Sequence, residues 1–227
     1  EHTRALADSD LEVLRYGEWR AALEHGFAAH HAGMVPPMKE AVEQAFAAED
    51  AFDDGRYAAL LASAHEIVVL TPRLLSAIAA LESPPSLAML LRHPAPAPAI
   101  DPSAPSVVLD RVQDPGNVGS ILRSASAFGF HQIVALPGTA ALWSAKVLRA
   151  GMGAQFALRL FEHADDAMLD LLRTPWLGTS SHAQERLGDT TLPKPCTWVI
   201  GHEGQGMSSA LAVRCARVLR IVQPGGE

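Results

Sequence analysis

Val107-Val108-Leu109-Asp110-Arg111-Val112-Gln113-Asp114-Pro115-Gly116-Asn117-Val118-Gly119-Ser120-Ile121-Leu122-Arg123 is the stretch whose reading decides the fold. A short apolar run ends in an acid, Pro-Gly follows, and an amphipathic pattern begins just after it. Pro pre-sets φ and Gly tolerates a sharp reversal, so the pair marks a turn. Asn117 then stands where a helix N-cap belongs. The reading is strand, turn, helix, and it puts Asn117 at the carboxyl end of a strand, where open α/β sheets bind ligands. Arg123 falls within the first two turns of the same helix. A helix N-terminus attracts anions through its free N–H groups and dipole. An Asn amide and a guanidinium fork beside it suit a phosphate or a polarised hydroxyl.

Two stretches further on extend the pattern. Trp198-Val199-Ile200-Gly201-His202-Glu203-Gly204-Gln205-Gly206-Met207-Ser208 is an apolar run entering a Gly-rich loop, and Arg220-Ile221-Val222-Gln223-Pro224-Gly225-Gly226-Glu227 closes the sequence. Glycines at 201, 204 and 206 do not make the G-x-G-x-x-G dinucleotide fingerprint, and the Lys-Ser/Thr of a phosphate-binding P-loop is missing. A strand, turn and helix carrying Asn and Arg occurs in many α/β proteins, and the glycines alone make a tight turn. The three stretches together, in this order, resemble the three motifs of the SpoU/TrmH family of RNA ribose 2′-O-methyltransferases, in the knotted SPOUT superfamily. The resemblance covers residues 106–227, just over half of the 227-residue chain. His202 stands where the family usually has Asn, and Val222 where it usually has Pro. The family's third motif continues past Glu227, so the resemblance implies that the methyltransferase region here is short of its C-terminal end.

The resemblance implies a specific chemistry. S-adenosylmethionine supplies an activated methyl group, so the reaction needs position and electrostatics and no metal. A ribose 2′-hydroxyl is a weak nucleophile that must be oriented and eased of its proton. Arg123 matches the family's catalytic arginine. Because arginine is not readily deprotonated, its expected role is orientation and charge stabilisation, with a structural salt bridge as the alternative. Asn117 either fixes the turn or substrate or simply caps the helix. Glu203 either holds Asn117, Arg123 or a partner subunit, or is a surface acid in a turn. For the cofactor the resemblance points to Thr179, Gly201 and Ile221, with Gly201 leaving room for adenosine to approach the backbone and Ile221 packing on the adenine. It also implies RNA, rRNA or tRNA, as partner and a homodimer formed through the C-terminal domain.

Composition sets the frame. A chain of 227 residues with 48% hydrophobic side chains is long enough for one or two cores. Cys196 and Cys215 make no disulfide framework and read as small buried hydrophobes of a cytoplasmic protein. Neither a signal peptide nor an apolar run of membrane-spanning length is visible. The net charge of -7 sits awkwardly with nucleic-acid binding. Its distribution resolves part of the conflict: residues 1–105 carry 7 basic and 15 acidic side chains, residues 106–227 carry 11 and 10. The acidity belongs to the N-terminal half, and an RNA footprint would be a local patch such as Arg111, Arg123, Lys146 and Arg149. Arg214, Arg217 and Arg220 equally suit a solvated helix and strand end.

Pro94–Pro105 holds five prolines in twelve residues and reads as an extended linker. It divides the chain into an N-terminal domain, 1–93, expected to bind substrate RNA, and a methyltransferase domain, 106–227. In the latter, strands are expected at Ser106–Asp110, Gln132–Leu136, Phe156–Phe161, Trp176–Thr179, Thr197–Gly201 and Val218–Val222. Helices are expected at Asn117–Phe128, Leu142–Ala150, Ala164–Arg173 and Ser208–Arg214. The alternation predicts an α/β fold with a parallel sheet flanked by helices, to which the resemblance adds a C-terminal trefoil knot. In the first domain Glu12–His25, Met38–Phe52 and Pro72–Leu81 read as helices, Ile67–Leu70 as a strand and Ser86–Leu91 as either. That order is compatible with a smaller α/β domain of the L30e-like type carried by some family members. Two other function classes remain to be separated: a catalytically inactive RNA-binding relative, kept open by the acidic first domain, and a nucleotide-binding oxidoreductase, disfavoured by the missing fingerprint.

Overall fold

The computed structural model describes residues 28–29, 42–79, 86–92 and 99–222. In chain order the elements begin with β1 (Ala28–Ala29), β2 (Val42–Ala48), α1 (Glu49–Phe52), α2 (Ala58–Leu61), β3 (Glu66–Leu70), α3 (Pro72–Ala79) and β4 (Leu87–Leu91). There follow β5 (Ser106–Asp110), α4 (Pro115–Ala127), β6 (Gln132–Ala135), α5 (Ala145–Gly151), β7 (Arg159–Phe161) and α6 (Asp166–Leu169). The last are β8 (Trp176–Thr179), β9 (Glu185–Arg186), β10 (Thr197–Gly201), α7 (Ser209–Ala212) and β11 (Arg217–Arg220). These form two compact units. One takes the elements up to β4 together with Trp143–Phe156; the other takes the rest from residue 96 onward.

The first unit is built on a four-stranded mixed sheet ordered β1-β4-β2-β3, in which only β2 and β3 run parallel. Ala45, Phe46, Ala47 and Ala48 of β2 are all buried because the strand lies between β3 and β4 with side chains packed on both faces. This corrects the helix expected over Met38–Phe52: Val42–Ala48 is strand, and only Glu49–Phe52 is helical. Alanine-rich composition favours a helix locally, but a central strand offers two paired edges and a fully buried position, and tertiary context overrides propensity. Ser86–Leu91 resolves as strand from Leu87. The helix expected at Glu12–His25 lies outside the described residues.

The second unit is a seven-stranded sheet ordered β7-β6-β5-β10-β8-β11-β9, with every pair parallel. All residues of β5 and β6 are buried, as expected of parallel strands covered on both faces. Chain order runs outward from β5 through β6 to β7, whereas β10 lies on the opposite side of β5. The sheet therefore has its topological switch point between β5 and β10. Expected strands 106–110, 176–179 and 197–201 match in full. The strand expected over Phe156–Phe161 is shorter, because Ala154–Ala157 forms a turn of 3-10 helix, and Ala164–Arg173 and Ser208–Arg214 contract to α6 and α7. No helix among the described residues is long and apolar enough to cross a membrane.

Residues 99–105 of the Pro-rich stretch pack on this unit. Ile100 lies in its core beside Val108, Val134 and Trp176. Gln132, fully buried, holds the segment: its Oε1 accepts from the Asp101 N–H at 2.7 Å, and its Nε2 donates to the Asp101 carbonyl at 2.9 Å and to Ser106 Oγ at 3.0 Å. Gln132→Leu keeps the volume but strands these partners, and is expected to cost about 1–3 kcal/mol in urea unfolding, measured as a lowered midpoint at unchanged slope.

Candidate active site at the sheet switch point

Parallel register pairs Asp110 with Gly201, so β5 and β10 end side by side. The loops that leave them, 111–114 and 202–208, meet in the crevice beyond the carboxyl ends of the strands, the position at which open α/β sheets bind ligands. The first loop enters α4 differently from the expected Pro-Gly turn. Asp114 is the N-cap, its carboxylate accepting from the Asn117 N–H at 2.8 Å, and Pro115 occupies the first helical position. Proline suits that position because its missing N–H is one that the helix cannot bond anyway. Asn117 is therefore not the cap; it sits inside the first turn with its side-chain amide free to reach outward.

Glu203 receives that amide. Its Oε1 accepts from Asn117 Nδ2 at 3.1 Å and from the Asp114 N–H at 3.0 Å, while Oε2 accepts from the Gln113 N–H at 3.1 Å. One carboxylate thus closes the two loops against each other. Desolvation pushes its pKa up, but the hydrogen bonds from Asn117, Asp114 and Gln113 outweigh that and hold it at about 2 against an ordinary 4.5.

Asp110 makes a second tie, which the sequence reading did not single out although the acid ending the apolar run was its signal. The side chain is buried, accepting from the Ser208 N–H at 2.7 Å and from Arg111 Nε at 2.9 Å. Desolvation raises its pKa, and the bonds from Arg111 and Ser208 more than reverse this, leaving it lowered. Arg111 itself adopts a left-handed backbone with φ of 58°, which costs about 1 kcal/mol for a residue with a Cβ. Its guanidinium offsets that by bridging Asp110 to Gln205 Oε1, at 3.1 Å.

The second loop is shaped by His202 and two glycines. His202 Nδ1 accepts from the N–H groups of Gly204 at 2.9 Å and Gln205 at 3.2 Å, the work an Asn oxygen does in an Asx turn. A two-way backbone pairing of His202 with Gly206 closes the loop, and Gly206 has φ of +70°. The glycine at 201 has a structural requirement beside the role expected of it. A Cβ there would run into the backbone of Gly206 and Met207, 2.6 Å from the Gly206 oxygen, so the loop's own return requires it.

An open cleft of about 1160 Å³ lies against this loop. Its lining includes Thr179, Glu203, Met207 and Ile221, together with Arg186 and Arg220. Ile221 and Val222, which follow β11, are 57% and 59% exposed on this lining. Of the expected site residues, Asn117 and Glu203 are joined directly, and Thr179, Glu203 and Ile221 share the cleft. Asn117, Arg123 and Gly201 are not part of its lining. Arg123 is exposed on α4, about 120° around the helix from Asn117, and makes no hydrogen bond or ion pair among the described residues. Arg214 and Arg217 are structural: Arg214 pairs with Asp166 and Asp170 and lies over the Trp176 ring, and Arg217 pairs with Glu185. No group of three or more His, Cys, Asp or Glu side chains able to hold a metal occurs among the described residues.

Comparison with known proteins gives this geometry a context. The model of the SpoU rRNA Methylase family matches residues 104–226. The 23S rRNA (guanosine-2′-O-)-methyltransferase RlmB of Nitrosomonas europaea is 34% identical over 128 residues, which is 52% of this chain and 47% of that protein. The chain spans about half, or less, of the length of the curated relatives it matches. Among solved structures, a protein of the TrmH family from Porphyromonas gingivalis superposes with a TM-score of 0.74 at 27% identity, over 98% of this chain and 91% of that one. The SpoU methyltransferase AviRb of Streptomyces viridochromogenes, solved with AdoMet, has the same fold at a TM-score of 0.75 and 24% identity, over 93% of this chain and 89% of its own.

The Glu203 tie has a pH signature. A carboxyl held at about 2 in the folded chain and near 4.5 when unfolded adds stability that is complete above about 4.5 and lost as pH falls through about 2. Glu203→Gln presents one accepting oxygen in place of two, so its melting temperature is expected to be lower at neutral pH and to vary less across that acid window. Calorimetric melting of both proteins from neutral to acid pH measures the difference.

Proposed function

This chain belongs to the SpoU rRNA Methylase family, and we propose that it transfers the methyl group of S-adenosylmethionine to a ribose 2′-hydroxyl of rRNA or tRNA. The observation that carries the reading is the Glu203 tie to Asn117, Asp114 and Gln113, which joins a helix N-terminus at the switch point of the sheet to a loop that lines an open cleft.

The cleft fits the cofactor. Ile221 and Val222 offer apolar cover for an adenine, Thr179 and the Gly204–Met207 backbone offer polar groups for its edge and ribose, and the volume exceeds what an adenosyl group needs. When bound, S-adenosylmethionine supplies an electrophilic methyl group on a positively charged sulfur. The protein's part is then to orient and to screen. Asn117, fixed by Glu203, holds the turn that faces the substrate. Arg123, unpaired and exposed on α4, is the group in our reading that meets the ribose hydroxyl and its neighbouring phosphate. Its fork binds both oxygens and lowers the cost of the charge that develops as the hydroxyl loses its proton. His202 Nδ1 is committed to the Gly204 and Gln205 N–H groups, so we give it no proton-transfer role.

The same proposal includes a C-terminal trefoil knot, a first unit that binds RNA in the manner of an L30e-like domain, and a homodimer formed through residues after Pro105. Light scattering of the chain at micromolar concentration is expected to return the dimer mass. Arg123→Ala is expected to lower methyl transfer by about two to three orders of magnitude, the scale of a lost transition-state contact, while cofactor affinity stays near wild type. Arg123→Lys is expected to restore only part of the rate, since a point charge does not reproduce the planar fork. Tritiated-methyl incorporation into RNA, run beside calorimetric titration with S-adenosylhomocysteine, separates the two effects; full activity of Arg123→Ala on a competent RNA would make the arginine structural.

A further inference from the structure

Arg186 and Arg220 are register partners on the parallel edge strands β9 and β11. Partner side chains in a sheet leave from the same face, with strands about 4.8 Å apart, so the two guanidinium stems start side by side. Both line the cleft. Like charges set opposite each other across strands repel, and such a pair normally has a carboxylate between or beside it. The acid preceding Arg186 and the acid on the cleft lining are engaged elsewhere. Glu185, which precedes Arg186, bonds Arg217 through both carboxylate oxygens. Glu203 is held by Asn117 and two backbone N–H groups, and Asp110 by Arg111 and Ser208. Neither Arg186 nor Arg220 forms an ion pair among the described residues, and the Nε of Arg220 is buried without a hydrogen-bond partner. The buried Nε fixes the Arg220 stem rather than meeting a ligand, and two guanidinium groups lining one cleft from register-paired strands form a ready acceptor-binding surface.

We propose that Arg186 and Arg220 form an oxyanion seat at one end of the cleft. It rests on the methyltransferase reading for what the cleft holds, and it adds a site to it. Arg220 is followed directly by Ile221 and Val222, so the seat adjoins the apolar surface assigned to the adenosine. The shared chemistry is a planar pair of anionic oxygens gripped by forks, which lysine would not reproduce. On the proposed function two groups offer it: the amino-acid carboxylate of the cofactor, or a phosphodiester of the RNA strand.

Calorimetric titration of the full chain tests this with three probes: S-adenosylhomocysteine, 5′-methylthioadenosine, which keeps the adenosyl sulfide and has no carboxylate, and a short oligoribonucleotide. Wild type is compared with Arg186→Met and Arg220→Met, both confirmed folded by thermal melting; Arg→Lys at the same position replaces a Met variant that melts early, and is expected to lose affinity in the same direction by less. Each Met variant is expected to weaken one anionic probe about tenfold or more, the worth of a charge-assisted hydrogen bond, and to bind methylthioadenosine as wild type does. Loss confined to S-adenosylhomocysteine assigns the seat to the carboxylate; loss confined to the oligoribonucleotide, with a shallower salt dependence, assigns it to phosphate. Unchanged affinity for both anionic probes overturns the seat, as does an equal loss for methylthioadenosine. If wild type binds neither adenosyl compound, the cofactor reading itself fails, and the oligoribonucleotide arm still decides the seat.

Discussion

Strands β5 and β10 run parallel in one register and stop together at Asp110 and Gly201, and everything at the candidate site hangs from that shared ending. Two loops separated by some ninety residues are delivered to one crevice. Their backbone N–H groups, free because the strands have ended and α4 has only begun, need acceptors. Glu203 and Asp110 supply them from opposite sides: Glu203 reaches from the second loop to the first, Asp110 from the end of the first strand to the second loop. The two acids lace the loops in both directions, which fixes spacing as well as contact. Neutralising either carboxylate would weaken the bonds it accepts from the other loop, so the crevice is held most firmly while both are ionised.

The cleft beside the laced loops shows the opposite condition. Strands β8 and β11 bring Thr179, Ile221 and Val222 to its wall with apolar surface open to solvent, and β9 adds an arginine opposite another. A protein interior avoids both states; on the proposed function a bound cofactor would cover them. The contrast between a saturated hydrogen-bond lattice at β5–β10 and an unsatisfied wall at β8–β11–β9 separates what holds the site from what the site holds. On the proposed function it also divides labour along the sheet: the loop side carries Asn117 and leads into the helix that displays Arg123, and the wall side would take the cofactor.

How much of this the sequence shows depends on burial. In the second unit the runs Ser106–Asp110, Trp176–Thr179 and Thr197–Gly201 are strands throughout, because parallel strands covered on both faces are continuous apolar runs and nothing else in the chain competes for that reading. In the first unit, Val42–Ala48 carries alanines and a glutamate that suit a helix equally well, and only its place between β3 and β4 makes it a strand. Glu185–Arg186 escapes notice because two residues hold no periodicity; a neighbour, β11, makes them a strand. At the site, the motifs bring Asn117 and Glu203 forward, and their direct hydrogen bond gives physical content to that pairing. The cap is where a local rule misleads. Pro-Gly suggests a turn and Asn117 a cap, yet Asp followed by Pro is the stronger helix start, with the acid outside and the imino acid at the first helical position. Reading the acid first would have moved the helix back by two residues and freed the Asn117 side chain for the contact it makes.

Gly201 shows how one residue type can satisfy two readings with different physics. Room for a ligand against the backbone and room for the backbone against itself both demand a missing Cβ. The structure supplies the second: Gly206 and Met207 return so closely that any side chain at 201 would displace the loop. That return is held by the His202–Gly206 pairing and by His202 Nδ1, and the same return sets Met207, on the cleft lining, against Gly178 and Cys215. A larger residue at 201 would therefore act at a distance. It would push the loop outward, pull Glu203 away from Asn117 and shift Met207 on the cleft wall, so that the proposed cofactor affinity and the first loop's order would fall together. Direct blocking of a ligand would lower affinity and leave the Glu203 tie intact. The two mechanisms part in what happens to the protein without ligand, and the close backbone contact makes Gly201 a residue that shapes the loop whatever binds there.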